Sequence, residues 1–435
     1  MIYNNLTLNK EQGNLAFAGR DTIELAQKYG TPLMLLDENG VRKQCQLFRR
    51  SAKKAFGSNA RVLYAGKALC FAGLYRILTQ EEMSVDVVSA GEIYTAVKGG
   101  FDMKNSYFHG NNKTDDDIAF ALQNNVGYFI VDNFDEAERI NKFAHKKGIK
   151  QKVLLRLTPG VDAAGAHSAI CTGQLDSKFG VAVETGEAEK LVRFVLNLKN
   201  IELRGFHCHI GSQVFKENLF HIAADKMIKF LADIKATTGF IATELNLGGG
   251  FAVRYVKSQP AVDYEKLISQ LGNAVEASCK NYDVKMPAIL IEPGRSIVAM
   301  NMITLYTVGT IKEIDGIRNY VVVDGGMTDN PRYALYKSEY TCLIANRAGQ
   351  KANYVATVAG RACESGDILQ ENVLLAKPSR GDILAVLVTG AYNYSMASNY
   401  NRLPRPPIVA IDKNGKDRLL VKRETLDDLI RNDVL

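Results

Sequence analysis

The sequence predicts a (β/α)8 barrel joined to an all-β domain, and three observations predict it. Eight short runs of strand character, at residues 61–66, 84–89, 106–110, 128–132, 153–158, 203–210, 244–248 and 289–293, alternate with segments of helical period. A further helical segment at about 39–56 precedes the first run and supplies an eighth helix, so the count closes on a barrel. No GxGxxG follows the first strand, which disfavours an open dinucleotide-binding sheet.

Taken in order, residues 1–30 precede the barrel pattern and are expected to pair with the later β domain. The barrel, 31–296, then becomes an insertion between 1–30 and 297–435. The 39–56 helix carries Arg49-Arg50-Ser-Ala-Lys53-Lys54 at helical spacing, which reads as a solvated face and not as a nucleic-acid footprint. Helices follow the strands at about 70–80, 91–98, 114–124, 134–147, 185–199, 216–238 and 264–281. Thr114-Asp115 and Asp132-Asn133 offer N-cap chemistry to two of them. The irregular, glycine-rich stretch Gly160–Gly180 is a candidate lid. Beyond Ser296 come short β-like runs at Ile297–Tyr306, Ile311–Ile314, Tyr320–Val323, Tyr354–Val358, Asp382–Val388 and Pro407–Ile411.

Composition fits two ordered domains. The 435 residues exceed what one core usually supports, and 46% hydrophobic with 23% charged residues leaves no room for long disorder. A net charge of +7 against 54 basic and 47 acidic residues is a mild bias toward anionic small molecules. Seven cysteines without a CxxC pair argue against a disulfide framework and against a thiolate zinc site, and suit a reducing compartment. Without a signal pattern at the start or an apolar run of membrane length, the expected location is the cytoplasm.

In such a barrel the chemistry gathers where strands end, and the polar residues here obey that rule. Lys67 follows the first strand, and a lysine there can form a Schiff base if its ammonium is desolvated or crowded. Ser89-Ala-Gly91-Glu92, His109-Gly-Asn111-Asn-Lys113 and Arg156 follow or end later strands. The sixth ends in His207-Cys208-His209-Ile-Gly211-Ser212-Gln213, the seventh in Gly248-Gly249-Gly250 and the eighth in Glu292-Pro-Gly294-Arg295-Ser296. The glycine run and Gly294-Arg295 suggest a phosphate cup, or else two tight turns. His207 and His209 share one strand face, a geometry open to zinc, although a hydrogen-bonded core histidine is preferred for His207. In the β domain, Cys363-Glu364 lies in a glycine-rich turn, which is poor core chemistry.

The ordered set Tyr64-Ala-Gly-Lys67-Ala, His109-Gly-Asn-Asn-Lys113, Asp176-Ser-Lys-Phe-Gly180, His207-Cys-His-Ile-Gly-Ser-Gln213, Gly248-Gly-Gly-Phe251, Glu292-Pro-Gly-Arg-Ser296, Asp324-Gly-Gly-Met327, Cys363-Glu-Ser365 and Gly390-Ala-Tyr392 closely resembles the fold type III pyridoxal-phosphate decarboxylases over almost the whole chain. The resemblance implies an α/β barrel of the alanine racemase type with a C-terminal β-sandwich or β-barrel domain. It implies that Lys67 carries pyridoxal 5'-phosphate, that His209 stacks on the cofactor ring and that Glu292 pairs with the pyridine nitrogen, with Arg156 holding Glu292. Ser212, Gly250, Gly294 and Arg295 would bind the phosphate, with Tyr392 closing over it. Arg295, Arg332, Tyr336 and Tyr392 would take substrate, and Glu364 would meet its far ammonium. Arginine suits a far carboxylate because it offers paired donors to a planar anion.

Cys363 would return the proton after CO2 loss. Cys363 and Glu364 would reach the site of the neighbouring subunit, so the resemblance also implies a homodimer with shared sites and a nearly inactive monomer. No metal is expected. Tyr333 stands where the family commonly has proline, and Arg361-Ala362 where Gly-Pro is more usual.

The activity so implied is decarboxylation of meso-2,6-diaminopimelate to L-lysine and CO2. The rivals are a sister enzyme acting on carboxynorspermidine or on ornithine, arginine or lysine, a catalytically silent relative, and a metal-dependent hydrolase built on His207 and His209.

Overall fold

The computed structural model describes residues 5–9, 13–161 and 177–434, so most of the candidate lid lies outside the described residues. The chain divides into two units. One comprises Gln44–Ala252 and Ala261–Ser296; the other comprises Met1–Lys43, Val253–Pro260 and Ile297–Leu435.

The first unit is the barrel. Its strands are β1 (Arg61–Ala65), β2 (Ser84–Val87), β3 (Ser106–Phe108), β4 (Tyr128–Val131), β5 (Gln151–Thr158), β6 (Ile201–His207), β7 (Glu244–Asn246) and β8 (Ala288–Ile291). Each pairs in parallel with the next, and β8 returns to β1 through Leu290 opposite Arg61, which closes the sheet. A two-residue strand, Val181–Ala182, adds beside the end of β5. Helices fill the connections at Ala72–Gln80, Ala90–Lys98, Asp115–Gln123, Phe134–Lys147, Glu187–Leu196, Glu217–Thr238 and Tyr264–Asn281, within about three residues of the expected bounds. The predicted caps are present: Thr114 closes a capping box with Asp117, and the Asn133 side chain accepts from the Glu136 N–H.

Leu63, Ile130, Leu154 and Leu290 fill the barrel interior, each worth roughly 1.5–3 kcal/mol of burial. Tyr107 and Tyr128 stack beside them at 4.3 Å between ring centroids. Both phenols turn toward Glu244, the first residue of β7, with the Tyr128 hydroxyl donating to it at 2.9 Å. Arg61, at the start of β1, donates to both phenols and lies 3.5 Å from the same carboxylate. A buried charge needs such partners. This cluster therefore seals the N-terminal end of the barrel and leaves the other end for chemistry.

The second unit is built on the long strand Met302–Ile314, which changes partners along its length. Residues 302–305 pair with Leu33–Asp37, residues 304–307 with Ile383–Val386, and the rest with Arg318–Val323. The sheet continues through Tyr354–Ala359 to Ile368–Leu375 on one side and through Ile408–Ile411 to Asp417–Val421 on the other. The strands before residue 22 pair only with one another among the described residues; the segment that enters the main sheet is Leu33–Asp37. Residues 20–29 join the unit through side chains, with Arg20 and Lys28 pairing to Asp417 at 2.8 and 2.6 Å.

The strand expected at Ile297–Tyr306 begins only at Met302. Arg295–Val298 and Ala299–Asn301 are helical turns, held by the Asn301 side chain donating to the Ile297 carbonyl at 2.7 Å. A local side-chain bond there overrides the β-branched composition. Among the described residues no helix is long and apolar enough to cross a membrane.

Candidate active site

β8 carries an apolar run to the mouth and ends on a carboxylate. Glu292 is buried and held by residues from other strand ends. Asn246 Nδ2 donates to Oε1 at 2.7 Å, His207 Nε2 lies 3.2 Å from Oε2, and His109 Nε2 lies 3.0 Å from Oε1 without hydrogen-bond alignment. Burial opposes the charge, but the surrounding imidazoles outweigh it and hold the Glu292 carboxyl well below the usual range. His207 itself is pushed down to about 4 by its burial and is therefore neutral near pH 7. His109 and His207 meet edge to face at 4.8 Å between centroids.

His207 is the buried, hydrogen-bonded histidine expected, and its partner is the site carboxylate. One expectation changes here. Arg156 makes no ion pair or hydrogen bond with Glu292 among the described residues; its guanidinium packs over Phe179 at 4.4 Å and acts on Glu292 through charge alone.

Lys67 leaves β1 in the turn Gly66–Ala68, exposed in this chain, and its charge bears on Asp86, Glu92 and His209. Asp86, inside β2, is fully buried, and burial raises its carboxyl. Glu92 is pushed up to about 7, first by burial and then by Asp86. Sequence reasoning passed over Asp86, although an acid within the apolar Ser-Val-Asp-Val strand is the signal that could have found it. Ser89, which follows β2, caps the next helix. Lys113 is likewise structural: it is buried against Glu136 at 2.8 Å and donates to the Gly110 and Ile130 carbonyls.

His209 is half-buried, and burial together with the Lys67 and Arg156 charges holds it well below its ordinary value, so it is a neutral ring. Its Nδ1 accepts the Gly249 N–H at 3.2 Å, which puts the ring proton on Nε2. The Gly248 N–H is also committed, to Asn246 Oδ1 at 2.9 Å. Two of the three glycine N–H groups thus hold protein atoms, so the run as a whole does not form the cup expected of it. Close by, Arg295 donates to Ser212 Oγ at 2.9 Å.

The ligand atoms of His109, His207 and Glu292 lie within 4.8 Å of one another, a spacing open to a metal ion. Asn246 and His207 each direct one hydrogen bond to a different oxygen of that carboxylate. Among the described residues, the alternative pair His207 and His209 does not form such a group.

In the β unit, the short helix Arg332–Tyr336 presents a buried guanidinium. Arg332 donates to the Tyr255 hydroxyl at 3.1 Å and to Ser338 at 3.0 Å, and lies 5.6–6.0 Å from the ring centroids of Tyr255, Tyr336 and Tyr392. Tyr255, missed from the sequence, comes from the 253–260 segment of this unit. Cys363 and Glu364 are exposed on a separate turn. The Asp367 carboxylate fixes that turn by accepting from Met327 and Ala362 N–H at 2.6 and 2.8 Å, and the Cys363 N–H donates to Asn401.

Comparison with known proteins agrees with this geometry. Residues 40–299 match the family model described as pyridoxal-dependent decarboxylase, pyridoxal binding domain. The chain is 42% identical to diaminopimelate decarboxylase of Bacillus subtilis (strain 168) over 434 residues, 100% of this chain and 98% of the relative. It is 43% identical to that of Bacillus methanolicus, covering 98% of each. The crystal structure of diaminopimelate decarboxylase from M. jannaschii in complex with L-lysine superposes with a TM-score of 0.90 at 33% identity, covering 99% of this chain and 98% of that one.

Proposed function

The chain belongs to the pyridoxal-dependent decarboxylases, and on that premise we propose that Lys67 holds pyridoxal 5'-phosphate covalently at the barrel mouth. The enzyme removes CO2 from meso-2,6-diaminopimelate and leaves L-lysine, the last step of lysine biosynthesis.

The donor set fits the cofactor. A buried, ionised carboxylate, a neutral imidazole and an Arg295–Ser212 pair lie at neighbouring strand ends with Lys67. Bound there, pyridoxal phosphate supplies an electron sink for the carbanion that CO2 loss creates. Glu292 keeps a proton on the ring nitrogen, and His209, its plane fixed by Gly249, covers a ring face. Ser212, Gly250, Gly294 and Arg295 hold the phosphate, and Tyr392 closes over it. Asp86 and Glu92 interact with the Lys67 amine through charge and would favour its ammonium form.

Arg332 carries the reading of substrate. A buried guanidinium surrounded by three tyrosine rings needs an anion, and with Arg295 and Tyr336 it would take the far carboxylate that ornithine and its relatives lack. Glu364 binds the far ammonium. Cys363 delivers the proton that replaces CO2, on the partner subunit of a homodimer; the exposed and braced turn that carries it supports that assignment.

The test is CO2 release by the purified protein from meso-diaminopimelate, carboxynorspermidine, ornithine, arginine and lysine. Turnover is expected with the first alone, with inhibition by carbonyl reagents and not by chelators. Lys67→Ala should abolish turnover and the visible absorption band; normal turnover by that variant overturns the assignment.

A further inference from the structure

Glu292 takes its place in the site from residues 46 and 85 positions away in sequence, Asn246 and His207, each at the end of a different barrel strand. Both donors meet it at depth: His207 is 1% exposed, Asn246 is fully buried, and Glu292 is 6% exposed. His207 Nδ1 has no hydrogen-bond partner among the described residues, so the ring's one strong contact is Nε2 with the carboxylate, and the proton belongs on Nε2. Among the described residues, Oε1 carries Asn246 and the nearby His109, whereas Oε2 carries His207 alone. A carboxylate oxygen has two acceptor positions. One of those on Oε2 stays available.

We propose that His207 is a positioning residue for the reaction: its Nε2–H fixes the Glu292 carboxylate so that the remaining acceptor position of Oε2 serves the pyridine nitrogen. The inference rests on the reading that Glu292 pairs with that nitrogen. His207 touches neither cofactor nor substrate. It acts as a neutral donor, which suits the site better than a cation, because a neutral N–H orients the carboxylate without cancelling the negative charge that must hold the ring proton. The other charged or titratable groups facing this pair are His109, Asp86, Arg156, Cys208, Lys67 and His209. Of these only His109 lies in contact with the carboxylate.

The test is a double-mutant cycle on cofactor affinity, measured by titrating the apo full-length protein with pyridoxal phosphate, together with the absorption spectrum of the bound cofactor. Three variants enter it: Glu292→Gln, His207→Leu and the double mutant. His207→Leu is expected to weaken cofactor binding about ten-fold or more, the scale of one hydrogen bond to a charged group, and to alter the absorption band. His207→Gln, which restores an N–H at similar reach, should recover most of the affinity and the native spectrum. The double mutant should bind no worse than Glu292→Gln alone, because the two residues act in series.

Native affinity and spectrum in His207→Leu, or fully additive losses in the double mutant, overturn the inference. If Glu292→Gln itself leaves affinity and spectrum unchanged, the underlying reading fails instead. Should the leucine variant not fold, His207→Ala takes its place in the same cycle.

Discussion

A methyl group added at Gly249 would lie 2.2 Å from the Glu292 carbonyl oxygen, a distance that backbone atoms cannot accommodate without moving. Glycine there lets the ends of β7 and β8 touch, and this contact seats Glu292. Gly249→Ala is expected to cost about 1–3 kcal/mol of stability, read as a lowered melting temperature, with weaker cofactor binding. An unchanged melting temperature would show that the strand ends can part. At the neighbouring Gly250 the reason differs: φ is +103°, which side-chain-bearing residues rarely adopt. Three glycines in a row were legible as a phosphate cup or a tight turn. The close approach of β8 was not, and the Gly248 and Gly249 N–H groups turn to Asn246 and His209 and not outward to an anion.

Among the elements, the short helix Arg332–Tyr336 depends on its surroundings. Five residues make barely more than one turn, too few to hold shape alone. Tyr333 ties it down. Its hydroxyl donates to Glu371 at 2.6 Å, on the strand Ile368–Leu375, and Glu371 also accepts from Arg318 at 3.3 Å. A tyrosine in place of the family's usual proline thus exchanges backbone rigidity for a hydrogen bond. Tyr333→Phe should raise KM for diaminopimelate about two- to five-fold with kcat nearly unchanged, as one hydrogen bond of about 1 kcal/mol predicts. A fall in kcat alone would contradict a role in substrate placement. Element boundaries in the barrel were legible to within a few residues, since helical period and N-caps are local signals. The strands Leu33–Asp37, Cys342–Ile344, Ile368–Leu375 and Asp417–Val421 were not, because a strand is defined by distant partners that sequence does not display.

For the whole molecule, the proposed homodimer makes a quantitative prediction. If Cys363 and Glu364 serve the partner subunit's site, inactive Lys67→Ala and Cys363→Ala subunits complement each other. Re-equilibrating equal amounts should restore about a quarter of native activity, since half the dimers are mixed and each mixed dimer has one intact site. No recovery, with mixed dimers shown to form, would place Cys363 in its own subunit's site. Dilution should lower specific activity as dimers separate.

From sequence alone followed the order of eight βα units, the lysine after the first strand and the acid after the eighth. These are carried by local periodicity and by residue chemistry, which need no knowledge of distance. Tertiary structure alone decided what surrounds them: that His207 and Asn246 hold Glu292 while Arg156 does not, and that Tyr255 joins Arg332. Such contacts unite residues tens of positions apart, and only closure of the barrel and folding of the β sheet bring their side chains within hydrogen-bond reach.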